Sequence, residues 1–323
     1  MKTLPYKEMS RSERLKLVRD YLKLFENDIK DSTDKDGKTI PGLQTRWEEW
    51  VRDYADGKGL PKKVACLLVA DFERLAEVYD KFVALNIPER VVVNGKSVKN
   101  PVLDELEDIF KYTKGYDGKI AQFFIDRAER LGIKTCYYCE MAYVNIYSYW
   151  DSGANVTRRQ FDLDHFLPKG LCPCLGLSLF NFVPSCQVCN SRIKLEEVPG
   201  RNKAEYVRFS PSSVNADFDT NVKVRLRFGT NKDGLRGRYI HFVTNSPYEK
   251  YVNFFHLEER YEFHKVEAVR LNRLKKRYPD ANIRSIAHLL HYRPSLVKED
   301  IFHLKYMQKE GRCFEKMTRD ILK

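Results

Sequence analysis

Over most of the first 132 positions, apolar residues recur at three- and four-residue spacing, the period of a helix that buries one face. Leu15, Val18, Leu22, Phe25 and Ile29 form one stripe across 13–30, behind the capping residues Ser10 and Ser12. Pro61 opens a second pattern with Val64, Leu68, Phe72, Leu75, Tyr79 and Phe82, and Pro101 opens a third that runs to Phe110. A fourth, 119–131, stops at Gly132, a residue suited to the left-handed turn that ends helices. Such stripes predict a helical core.

Beyond Gly132 the pattern changes to aromatic and β-branched segments broken by turn residues. The segments 142–150 and 158–163 predict two strands around a loop at 151–156. A second hairpin is predicted where Val222, Val224, Leu226 and Phe228 alternate with Lys223, Arg225 and Arg227, with 239–243 as the returning strand. Helical spacing resumes over 251–277, over 282–291 and from Lys298 onward. The stretch 32–43 imitates a calcium loop through Asp34, Asp36 and Gly37. Ser32 and Leu43 stand where such a loop needs carboxylates, so it reads as a solvated loop.

The charge balance narrows the choice of partner. Across 323 residues, 57 Lys and Arg face 45 Asp and Glu, a formal net charge of +12 that points to a polyanion, nucleic acid ahead of a membrane surface. The excess is concentrated in 263–312, where twelve basic residues face five acidic ones. The longest apolar run, Val64 to Ala70, falls far short of the roughly 18 residues that span a bilayer, so no membrane segment is expected. The first residues lack the apolar stretch of a secretory signal, which makes a cytoplasmic location the expectation. In a reducing compartment, clustered cysteines bind metal more often than they form disulfides.

Four of the eight cysteines form two Cys-x-x-Cys pairs, Cys136 with Cys139 and Cys186 with Cys189. Each pair can turn two thiolates onto one tetrahedral ion at about 2.3 Å, for which Zn²⁺ fits best. Four thiolates would fill the coordination shell, making the ion structural. Cys172 and Cys174 are poorer chelators and read as free thiols; Cys66 and Cys313 read as buried apolar positions, and Tyr137 and Tyr138 as packing. Inside the clamp, Asp162-Leu163-Asp164-His165 ends a predicted strand. Alternation puts His165 on the face opposite Asp162 and Asp164, so a bend or bulge is expected to gather Asp164 and His165 at one site. A carboxylate beside a neutral imidazole suits metal-assisted hydrolysis.

The set Cys-x-x-Cys, Asp-His-Phe-Leu-Pro-Lys, a later Asn181 and Cys-x-x-Cys-Asn-x-x-x-Lys resembles the HNH nuclease superfamily over residues 136–194. That resemblance implies a ββα-metal core and phosphodiester hydrolysis. His165 would be the general base, Asp164 a ligand of Mg²⁺ or Mn²⁺, Asn181 the residue that orients the base or pins the loop, and Asn190 the last ligand. Asn190 stands where the signature ends in His, an amide that can still ligate Mg²⁺. Asp162 is a second ligand or an outer carboxylate, or else a solvent-facing acid; Lys169 and Lys194 stand where a substrate phosphate could be held. Cys-Tyr-Tyr-Cys-Glu followed by Asp-His-Phe-x-Pro-Lys is also similar to HNH proteins of prokaryotic anti-phage systems, including the Septu nuclease subunit that works with an ATPase. The expectation is an α+β fold: a helical region 1–132, a zinc-clamped HNH core 133–200, and a C-terminal region 201–323 with a β-hairpin and basic helices. Its expected activity is that of an endonuclease on double-stranded DNA, with an ATPase subunit as a further partner. The competing reading is a zinc-dependent nucleic-acid-binding or scaffold subunit, silent unless such an ATPase is bound.

Overall fold

The structure is a computed structural model and describes every residue except 111, 113–114, 231–233 and 304–310. Lys305 and Lys309, part of the basic C-terminal stretch, lie outside the described residues.

Helices dominate the N-terminal region, with boundaries set by caps. Ser10 opens the helix Arg11–Leu22: its hydroxyl accepts from the Glu13 amide while the Glu13 carboxylate accepts from the Ser10 amide. The expected stripe across 13–30 is divided into that helix, a tighter turn Lys23–Phe25 and a short helix Glu26–Ile29. Of the expected stripe only Phe25 is buried; Val18, Leu22 and Ile29 are half-buried and Leu15 faces solvent, while the other buried positions, Leu17 and Tyr21, lie outside it. The second pattern also breaks, into Val64–Val69 and Phe72–Val83, because Asp71 leaves the helix to accept the Arg74 amide. The helix Leu43–Tyr54 escaped the sequence reading, since polar residues surround its few apolar ones. It buries Trp47 and Trp50 completely, and their indoles donate to the carbonyls of Pro61 and Val102. Cys66 is exposed, contrary to the expectation of a buried site.

Among the described residues, ten strands form five two-stranded antiparallel sheets: β1 (Ser32–Thr33) with β2 (Thr39–Ile40), β3 (Arg90–Val93) with β4 (Lys96–Lys99), β5 (Ile146–Asp151) with β6 (Ala154–Arg159), β7 (Asp162–His165) with β8 (Phe182–Ser185), and β9 (Val222–Thr230) with β10 (Arg236–Thr244). The calcium-loop mimic is the exposed turn of β1–β2, where the Asp34 carboxylate accepts the amides of Asp36 and Lys38. The predicted loop 151–156 shrinks to Ser152 and Gly153, both with positive φ, as a tight hairpin turn requires. The predicted strand 158–163 is two strands: β6 ends at Arg159, and β7 starts at Asp162 with a different partner.

The main core is continuous, running from Met1 to Ile321 through all three regions; a smaller cluster around Ile283, Ala287, Val297 and Phe302 lies under the C-terminal helices. N-terminal helices wrap the long loop between β7 and β8. Tyr21 donates to the Leu177 carbonyl at 2.8 Å, Ser178 donates to Leu67 at 2.7 Å, and Phe72 meets Phe166 edge to face. Among the described residues, no helix is long and apolar enough to cross a membrane.

Candidate metal centre and adjoining cavity

Cys136 and Cys139 lie in the turn before β5, and Cys186 and Cys189 follow β8. The fold brings the four sulfurs within 4.8 Å of one another, with Cys139 and Cys186 at 4.0 Å. Bonds of about 2.3 Å to one tetrahedral ion would place sulfurs about 3.8 Å apart, so the cluster fits a metal ion such as zinc. Two N–H donors face the sulfurs. Arg260 donates to the Cys189 sulfur and the Met141 amide to the Cys139 sulfur, each at 3.4 Å. Without an ion the thiols perturb each other: donation from its three neighbours lowers Cys186, while burial raises Cys136. Cys172 and Cys174 stand apart from this cluster, buried, with sulfurs 3.5 Å from one another.

The cluster clamps a hairpin and a helical turn. In β7–β8 the register is regular, Asp162 opposite Ser185 through His165 opposite Phe182, and a π-helical segment, Val188–Lys194, starts inside the second cysteine pair and contains Cys189. Asp164, His165 and Asn190 line one cavity of about 300 Å³ with Tyr112, Lys169 and Glu196. No bulge gathers Asp164 and His165, as alternation had led us to expect. The ladder stops at His165, and the cavity wraps the strand end, where both neighbours reach it.

Each polar group there is held by the fold. His165 Nε2 lies 2.9 Å from the Gly176 carbonyl. A carbonyl only accepts, so Nε2 carries the proton and Nδ1 keeps the lone pair. Burial pushes the imidazole's pKa down to about 3, which keeps the ring neutral. Tyr112 packs edge-on against the ring at 4.7 Å. Asn181 is fully buried and pins the loop that supplies Gly176: its Oδ1 accepts the Leu167 amide at 2.8 Å, and its Nδ2 donates to the carbonyls of Leu167 and Leu175.

Asp164 is buried, and burial raises its carboxyl above the usual range against the pull of Lys194 and Tyr138. The Tyr138 hydroxyl donates to its Oδ2 at 2.5 Å, and the Lys194 ammonium stands 3.4 Å from the same oxygen. Lys194 is wholly inside, donating also to the His165 carbonyl at 2.8 Å. That placement overturns its reading as a phosphate-holding surface residue: its charge is spent on the interior. Lys169 stays at the cavity wall. Asp162 accepts from Asn190 Nδ2 at 3.1 Å, which orients the amide and leaves its oxygen as the free donor atom.

No family model, curated protein or solved structure matches this chain. Sequence reasoning missed Tyr138, which lies between the first two cysteines and reaches Asp164, and it missed Tyr112 and Glu196 at the cavity. Only Tyr138 carried a signal, its place inside the first cysteine pair.

Proposed function

We propose that the chain is a metal-dependent endonuclease of the HNH type that hydrolyses phosphodiester bonds in double-stranded DNA. The observation that carries this is the shared cavity: a neutral imidazole with a fixed tautomer, a carboxylate and an amide oxygen gathered at the end of a clamped hairpin. Asp164 and Asn190 would hold Mg²⁺ or Mn²⁺, which when bound polarises the scissile phosphate and offsets charge on the leaving oxygen. His165 Nδ1 takes the proton of the attacking water, with Gly176 holding the ring. Asn181 fixes the Gly176 loop, Asp162 orients Asn190, and Lys169 offers a cation to the phosphate from the cavity wall. The cysteine cluster is read as a structural Zn²⁺ site that sets the hairpin against the helical turn.

An anti-phage setting and an ATPase partner are supported by the Cys-Tyr-Tyr-Cys-Glu and Asp-His-Phe-x-Pro-Lys motifs. One observation favours a silent chain: Lys194 already neutralises the carboxylate that a cation would share. Both readings meet the same assay. Purified protein is incubated with supercoiled plasmid in Mg²⁺, in Mn²⁺ or in weakly chelating buffer without added divalent metal, alongside His165→Ala. Nicking that needs the metal and falls at least about a hundredfold in the variant is the expected result. Equal nicking by His165→Ala removes the general-base assignment, and a wild-type chain inert with both metals supports the silent reading.

A further inference from the structure

The β9–β10 ribbon has two unlike halves. Its inner half is rooted: Val222, Val224, Ile240 and Phe242 are buried, and carboxylates of Asp320, Glu262 and Glu258 accept the amides of Val224, Ile240 and Phe242. The outer half leaves the core. Phe228 is 72% exposed there, and Arg227, Arg236 and Arg238 are exposed as well. The two strands carry five cationic residues and no carboxylate. Lys223 and Arg225 are occupied near the root, by the backbone carbonyls of Asp219 and Asp320. Among the described residues, no ion pair engages Arg227, Arg236 or Arg238.

The register puts these cations on both faces. Arg238 lies opposite Phe228 and Arg236 opposite Thr230, on the face continuous with the buried root; Arg227, opposite Tyr239, lies on the other. Between them Gly229 pairs with Gly237. A Cβ at Gly237 would meet nothing within 4 Å, so no internal packing explains a glycine there. A bare glycine pair in a strand leaves room for another backbone to approach closely. Two strands about 4.8 Å apart with charge on both faces suit a groove with phosphates on both walls, and the major groove of DNA is about 12 Å wide.

We propose that the outer half of β9–β10 is an arm that enters the groove of a DNA duplex, with Arg227, Arg236 and Arg238 on the phosphate walls and the glycine pair at the closest approach. The proposal rests on the nucleic-acid reading above for its ligand and is independent of catalysis. Binding of a labelled duplex is measured by fluorescence anisotropy in weakly chelating, Mg²⁺-free buffer between about 50 and 200 mM salt, with His165→Ala as a parallel parent. Replacing all three arginines by alanine should weaken binding and reduce the log–log salt slope by about 2.7, while three lysines should keep the slope. Gly237→Leu should fold, judged by circular dichroism, yet bind the duplex at least about tenfold more weakly. A triple-alanine slope equal to the parent's, parental affinity in Gly237→Leu, or equal affinity for a single strand would each overturn the groove arm. Plasmid nicking lost only in His165→Ala separates these outcomes from failure of the nuclease reading.

Discussion

The cysteine cluster and the cavity beside it are both buried polar groups, yet they stand in opposite chemical conditions. The groups that the strand end and its loop bring to the site are held internally: Asp164 by Tyr138 and Lys194, His165 by Gly176, Asn181 by the backbone of Leu167 and Leu175, and Asn190 by Asp162. The four sulfurs have chiefly each other, and four thiolates at such spacing repel without a cation. A cluster that is complete only with an ion belongs to folding, and a cluster complete without one can wait for its ligand. That contrast predicts that metal removal acts on stability at the first and on activity at the second.

The largest effect is therefore expected at the cysteines. Structural zinc contributes roughly 10–16 kcal/mol in small zinc domains, comparable to the whole stability of a typical fold. Cys139→Ser should leave a chain with less than stoichiometric zinc and no cooperative thermal transition near that of the parent. Zinc content by atomic absorption and a melting curve check it, and a variant that melts like the parent breaks the comparison. A strong chelator should do the same to the parent, whereas exchange into weakly chelating, Mg²⁺-free buffer should leave its melting curve unchanged.

Asn181→Ala should come next. The truncation strands the Leu167 amide and the carbonyls of Leu167 and Leu175 in a fully buried loop, at a cost of about 3 kcal/mol. Urea unfolding should show the midpoint fall with an unchanged slope, and zinc should stay bound. A loss under about 1 kcal/mol would mean that the packing of Tyr21, Ser178 and Phe72, rather than the amide, holds the loop.

What was readable in advance follows the same division. Spacing announced the cysteine cluster, because two residues between ligands is a local constraint that the fold only had to bring together. Asp164, His165 and Asn190 were named from their order in the chain, and the fold places all three at one cavity. Lys194 was expected where a substrate phosphate could be held, and only the tertiary structure shows it turned inward to a buried carboxylate. The helix Leu43–Tyr54 was overlooked because two tryptophans do the burying that a full apolar stripe does elsewhere. The divided strand at Arg159 and Asp162 was invisible for a similar reason: pairing partners 23 residues apart, Asp162 and Ser185, decide where one hairpin stops.

The finest test falls on Tyr138, which links the two regions. It sits between Cys136 and Cys139, stacks on Phe255, receives Tyr251 at its carbonyl, and spends its hydroxyl on Asp164. Tyr138→Phe keeps the ring and so keeps the knuckle. It removes one hydrogen bond to a buried carboxylate, which costs about 1.5–3 kcal/mol when the acceptor is charged. Asp164 then leans on Lys194 alone, and a carboxylate drawn toward an ammonium is a poorer ligand for a competing cation. Outer partners of metal ligands typically contribute 10–100-fold to affinity, so Mn²⁺ binding, read by the loss of its free-ion paramagnetic resonance signal, should weaken by about tenfold. Zinc content should remain at one ion per chain. If zinc is lost along with manganese, Tyr138 is a structural residue of the knuckle; if manganese binds as in the parent, the cavity holds Asp164 without help from the cysteine clamp.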